Sequence, residues 1–271
     1  MMIMFKKRYS LKITFLLLLT VSLGACKKDG GINIFSLDED VTLGLQVDQE
    51  IKNNPQEYPL LDTIQYVTAY SHLNRIRNTV LNSGKLNYAN RFTWKCRIIK
   101  NDNVINAFCA PGGNIYVYTG LIKLLDNEAQ FAGVVAHEMA HADQRHSTEQ
   151  LTVKYGIDFL IAAVLGNNPN NIAQIVAGLA SGLGELAYSR KMEYEADKYA
   201  VKYLYPTTYD AASLGDFFVK MQSQSSPPEF LSTHPSDENR LTKINSEFQS
   251  LGGVHGEKYA DRYQQFKSSL P

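Results

Sequence analysis

The sequence predicts an α+β fold, mainly helical, with a small antiparallel β-sheet laid over one central helix. Three observations predict it. Apolar residues recur at three- and four-residue intervals through most of the chain, which is the period of one helix face. Between residues 93 and 118 that period gives way to short strand-like runs. After them comes His137-Glu138-Met139-Ala140-His141, whose two histidines, four apart, stack on one helix face.

The chain opens with Lys6, Lys7 and Arg8, then a largely apolar run from Ile13 to Leu23. That run is too short for a comfortable bilayer span and reads as a secretory signal over residues 1–25. Leu23-Gly24-Ala25-Cys26 resembles a bacterial lipobox, which implies cleavage before Cys26 and lipid attachment to it. Residues 26–35, with Gly30-Gly31, then form the anchor and tether, and residues 36–271 one domain. Lys27 after the cysteine favours an outer-membrane address facing the periplasm. The remaining length suits one domain with a sizeable core. Lys plus Arg and Asp plus Glu both number 27, so nothing in the charge invites nucleic acid.

Ser36-Leu37-Asp38-Glu39 is a capping box opening a helix that stops before Pro55. Leu61, Ile64, Val67, Leu73, Ile76 and Val80 give Leu60–Ser83 a helical core face, closed by Gly84. Thr93–Ile99 and Val104–Cys109 flank Asn101-Asp102-Asn103 and read as a β-hairpin, with Ile115–Tyr118 as a third strand. A two-residue turn at Asp102 and Asn103 sets Cys96 opposite Cys109. Facing β-carbons in such a pair stand about 4.5–5.5 Å apart, near disulfide distance, and an exported chain meets oxidising conditions. A Cys96–Cys109 disulfide is therefore expected.

Asp126-Asn127-Glu128 begins the central helix. Ser147–Leu165 and Asn170–Leu186 follow as two apolar helices rich in small residues, read as a buried pair. Asp210–Gln222 is an amphipathic helix, Gln224–Pro228 a connection that is a lid or an idle loop, and Ser236 caps a last helix carrying Arg240. His72, His146 and His255 read as structural. His146, five after His141, faces away from a metal held by that histidine.

The chemistry starts at His137 and His141. Both imidazoles can reach one tetrahedral zinc ion, which takes nitrogen ligands at about 2.0–2.1 Å. Glu138, about a hundred degrees round the helix, flanks the metal as a base for water. Zinc needs at least one more protein ligand. Ser189-Arg190-Lys191-Met192-Glu193-Tyr194-Glu195-Ala196-Asp197 offers Glu193, with Asp197 a turn below to hold the ring N–H of a zinc-bound histidine, while Glu195 points elsewhere. The competing reading is a surface helix whose carboxylates pair with Lys191, Lys198 and Lys202.

His-Glu-Met-Ala-His followed by Ser-Arg-Lys-Met-Glu-Tyr-Glu-Ala-Asp resembles the gluzincin metallopeptidases of family forty-eight, the HtpX and BepA kind, related to the CAAX prenyl endopeptidase. The likeness covers roughly residues 60 to 250. It includes Asn106-Ala107-Phe108-Cys109-Ala110-Pro111-Gly112-Gly113 with Ile115–Gly120, and Thr233-His234-Pro235-Ser236 with Arg240. The resemblance implies a zincin-like domain, one Zn2+ per chain, Glu193 as third ligand and Glu138 as general base. It implies that His234 and Arg240 approach the reaction centre, where a donor steadies the oxyanion, and that His234 can instead sit on the zinc in a self-inhibited state. It also implies an edge strand at Asn106, Ala107 and Phe108 to which extended polypeptides add. The expected function is a zinc endopeptidase acting on unfolded or misassembled envelope proteins. A zinc-bound chaperone that binds extended chains, and a zinc hydrolase for non-peptide esters or amides, stay open.

Overall fold

The computed structural model of the chain describes residues 32–158, 160, 169–182, 187–235 and 237–271. The predicted signal, Cys26 and the Gly30-Gly31 tether lie outside them, as does Ser236. Among the described residues no helix is long and apolar enough to cross a membrane.

Helix α1 (Leu37–Asn53) starts at Ser36 with the expected capping box, Ser36 and Glu39 satisfying each other's backbone N–H groups. Helix α2 spans Val67–Leu81, starting about two turns later than its apolar spacing predicts. The reason lies in strand β1 (Lys95–Ile99): Leu60 bridges Ile99 and Leu61 N–H donates to Ile98 C=O, so this stretch runs extended along the sheet. Leu73, Ile76 and Val80 are fully buried, each stabilising by about 1.5–3 kcal/mol. Ile64 and Val67, expected in the core, are 84% and 63% exposed: Ile64 lies before the helix, and Val67 is its first residue, on the solvent side.

Strands β2 (Ala107–Ala110) and β3 (Asn114–Tyr118) complete a sheet in the order β1-β3-β2. β1 runs parallel to β3, and β2 antiparallel to it. The sheet is therefore mixed, and the predicted β1–β2 hairpin does not form. β3, buried at every position, takes the centre that local turn signals had given to a direct pairing. The Asn101–Asn103 turn instead serves the connection, Asn101 C=O accepting from Gly120 N–H. The predicted disulfide falls with the hairpin. Cys96 and Cys109 both lie opposite Ile115, one on each side, two strand spacings or about 9.6 Å apart, beyond the reach of a bridge. Both thiols are free and buried, and burial pushes that of Cys96 up to about 12.

Between β2 and β3 the chain turns through Pro111–Gly113, and α1 presses on this turn at Gly44, where a Cβ would meet Pro111 O at 2.0 Å. After the short helix α3 (Thr119–Leu124), helix α4 (Glu128–Asp143) starts at the Asn127 cap and is buried along its whole length. Its first residue, Glu128, is gripped by Arg75, Arg262 and the Tyr209 hydroxyl. Helices α5 (His146–Tyr155) and α6 (Pro169–Gly182) follow. Leu151, Ile175 and Leu179 are buried in one cluster with Val47, Ile51 and Phe108, in keeping with a packed helical pair. Helix α7 (Arg190–Leu204) lies along α4, with α8 (Ser213–Gln222) against the same helix. The short α9 (Phe230–Thr233), α10 (Glu238–Ser250) and α11 (Ala260–Ser268) close the chain. Asp237 caps α10, its side chain accepting from Asn239 and Arg240 N–H.

Candidate metal centre

Three elements converge. α4 brings His137 and His141, α7 brings Glu193, and the end of α9 brings His234; one ligand atom from each lies within 4.8 Å of the others. His141 Nε2 is 3.0 Å from His137 Nε2 and 3.4 Å from Glu193 Oε1. His234 Nδ1 is 3.2 Å from His137 Nε2 and 3.1 Å from Glu193 Oε1. Atoms held 2.0–2.1 Å from one zinc in a tetrahedron stand about 3.3 Å apart, so these edges have the size of a zinc ligand shell.

Proton positions support the fit. His137 Nδ1 lies 3.0 Å from Asp197 Oδ1, which places its proton there and leaves Nε2 a bare lone pair facing the cluster. Burial holds His141 well below the usual histidine range, so its imidazole is neutral. Burial would raise Glu193, but His234, Arg240 and His141 outweigh it and keep this carboxylate ionised. Lone pairs and a negative charge crowded in a buried site need a cation between them. The residues present therefore fit a divalent ion of the zinc type, with Glu193 and Asp197 in the positions their spacing predicts.

Glu138 is fully buried beside this cluster, and burial pushes its carboxyl up to about 7. Its Oε1 is 3.3 Å from His234 Nε2. His234 thus bridges the ligand set and the expected base. It arrives on a short strap: Phe230 N–H donates to Ile105 C=O, Asn106 Nδ2 donates to Glu229, and the Phe230 ring stacks on His234 at 4.3 Å. Gln224–Pro228 lies just before this strap. Asn106, Ala107 and Phe108 stand at the sheet's outer strand but are buried here. Tyr118 N–H donates to Asn106 C=O, so by antiparallel alternation the backbone groups of Ala107 and Cys109 point away from β3.

Arg240 reaches the cluster through its carboxylates. Its guanidinium, 1% exposed, makes two 2.7 Å contacts to Asp197, one of 2.7 Å to Glu193 Oε2, and longer ones to the His234 and Pro235 carbonyls. It also stacks on Phe218 at 4.1 Å. Engaged this way, it holds the carboxylates of Asp197 and Glu193 in place.

The reading of His146 and Glu195 also changes. His146 Nδ1 lies 3.0 Å from His141 Nδ1, and its Nε2 3.3 Å from Glu195 Oε2. Helical arithmetic carried past His141 fails because α4 ends at Asp143 and Arg145 adopts a left-handed conformation, φ 62°. That reversal turns His146 back on the metal site. Sequence reasoning also passed over Tyr188, whose ring stacks on His141 at 4.0 Å; an aromatic before Ser189 carries no spacing signal. His72, against Arg75 and Phe266, and His255, against Asp210, lie apart from the cluster as expected.

The description "Peptidase family M48" matches residues 70–248, a span that takes in His137, Glu138, His141, His146, Glu193, Asp197, His234 and Arg240. The chain belongs to peptidase family M48. It is similar to the beta-barrel assembly-enhancing protease of Yersinia pestis, 31% identical over 221 residues, covering 76% of this chain and 43% of that one. The protein of the same name in Escherichia coli K12 is 34% identical over 157 residues, 53% of this chain and 32% of that one. The human mitochondrial metalloendopeptidase OMA1 is 29% identical over 170 residues, 57% and 32% of the two chains. The chain spans less than half the length of these relatives.

Proposed function

We propose that this protein is a zinc-dependent endopeptidase, anchored as a lipoprotein in the bacterial envelope, that cleaves unfolded or misassembled envelope proteins. The observation that carries the reading is the convergence of His137, His141 and Glu193, from two separate helices, with Glu138 beside them. Zinc held there supplies Lewis acidity, polarising the scissile carbonyl and bringing the pKa of water towards about 7. Glu138 takes a proton from the attacking water and returns it to the leaving amine. Burial raises its carboxyl above the usual carboxylate range, the direction that suits a group which must both take and return a proton.

An extended substrate would add to the outer edge of β2, taking the outward backbone groups of Cys109 and the Ala107 carbonyl, and the Ala107 N–H once it leaves Asn106 Oδ1. His234 occupies the fourth corner of the ligand set, which water needs, so the described arrangement reads as a self-inhibited resting form. Opening requires the Glu229–His234 strap to leave Ile105 and Asn106, which would uncover the β2 edge in the same movement. The envelope address is supported by Leu23-Gly24-Ala25-Cys26 and by the names of the bacterial relatives.

Casein incubation tests the proposal. Wild type should cleave it, and chelation should stop cleavage. Glu138→Gln should lower the rate about a hundred- to ten-thousand-fold. The seated His234 favours one second reading, a zinc-bound holdase of little proteolysis. Aggregation suppression by wild type and Glu138→Gln alike, without cleavage by either, would select it.

A further inference from the structure

We propose that His146 is a positioning residue for the metal site, fixing the tautomer of His141 through a relay that ends on Glu195. The inference rests on the zinc reading above and concerns how this chain prepares one of its own ligands.

The proton assignment follows link by link. A carboxylate accepts and does not donate, so the 3.3 Å contact to Glu195 Oε2 places the His146 proton on Nε2. In a neutral His146, Nδ1 is then a lone pair. The proton in the 3.0 Å contact between the two Nδ1 atoms therefore belongs to His141. His141 Nε2 is left as a lone pair, facing His137 Nε2 and Glu193 Oε1. In the opposite tautomer His141 would point an N–H at the cation. α7 thereby supports both histidine ligands, His137 directly through Asp197 and His141 through Glu195 and His146.

The placement of His146 is itself held at some cost. Arg145, at the chain reversal, keeps a left-handed backbone that non-glycine residues adopt with difficulty. Its side chain pairs with Asp40 of α1 at 2.5 Å and donates to the Phe35 carbonyl. Asn33 Nδ2 donates to Thr148 Oγ1 one residue beyond Ser147, fastening the same turn of α5. His146 has no exposed surface, so its polar nitrogens face only partners inside the protein.

The experiment is zinc affinity, measured on the full mature chain by competition with a chromophoric chelator, with the melting temperature of each metal-free form recorded alongside. His146→Leu removes the acceptor and should weaken zinc binding about ten- to a hundred-fold. His146→Asn sets an amide oxygen near the place of Nδ1 and should recover most of that loss, which a space-filling role would not. Glu195→Ala, at a partly exposed position, should weaken binding several-fold with an unchanged metal-free melting temperature. Wild-type affinity in His146→Leu, or in Glu195→Ala should the leucine variant not fold, overturns the relay. So does an asparagine variant no better than leucine. A wild-type chain that binds no zinc refutes the metal centre itself, and the relay with it.

Discussion

Arg240 and Asp197 meet through two contacts of 2.7 Å each, buried between α10 and α7. The same guanidinium reaches Glu193 Oε2, so one side chain sets the angle of a metal ligand and of the carboxylate behind His137. Arg240→Lys keeps the charge but loses the fork, while Arg240→Ala leaves Asp197 and Glu193 buried without their cation. Removing one partner of such a pair costs about 3–5 kcal/mol. Chemical denaturation should show a loss of that size for alanine and a smaller one for lysine, with weaker zinc retention in both. Unchanged stability in Arg240→Ala would remove the positioning role.

His234 is the residue whose removal separates two roles. As a plug on the fourth corner, 3.1 Å from Glu193 and 3.3 Å from Glu138, its replacement by alanine should raise basal casein cleavage several-fold. A drop of about a hundred-fold would instead make it an oxyanion donor whose resting position is incidental.

Asp48 governs stability in acid. It accepts from Arg97 at 2.6 and 3.1 Å and from the Tyr116 hydroxyl at 2.9 Å, tying α1 to β1 and β3. Burial opposes its charge, but Arg97, Lys52 and Tyr116 outweigh that and hold its carboxyl well below the usual range. A depressed folded-state pKa stabilises above the unfolded value, near 3.8, and that stabilisation fades as pH falls towards the folded one. Asp48→Asn should therefore cost about 3 kcal/mol at pH 7, and the gap from wild type should narrow below pH 4. A gap constant from pH 7 to pH 3 would show that the charge is not what stabilises.

What the sequence made legible follows a physical division. The capping box at Ser36, the helix start at Asp126-Asn127-Glu128, the His137–His141 face and the Glu193–Asp197 pair are all set by local helix geometry, and each is where the sequence puts it. Partner choice between strands is not local. The turn at Asn101–Asn103 announced a hairpin, while the all-buried β3 claimed the central place, and the expected Cys96–Cys109 bridge went with it. His146 was misread for the opposite reason: a helix assumed to continue breaks at Arg145, with neither glycine nor proline to announce it. Arg240 was placed near the site correctly, but its commitment to Asp197 and Glu193 needed three dimensions to see.

The most direct test of the account is metal content. Elemental analysis of protein purified without added metal should find one zinc per chain in wild type and far less in Glu193→Ala, with the fold preserved by circular dichroism. No zinc in wild type, or equal zinc in the two proteins, would contradict a centre built from His137, His141 and Glu193.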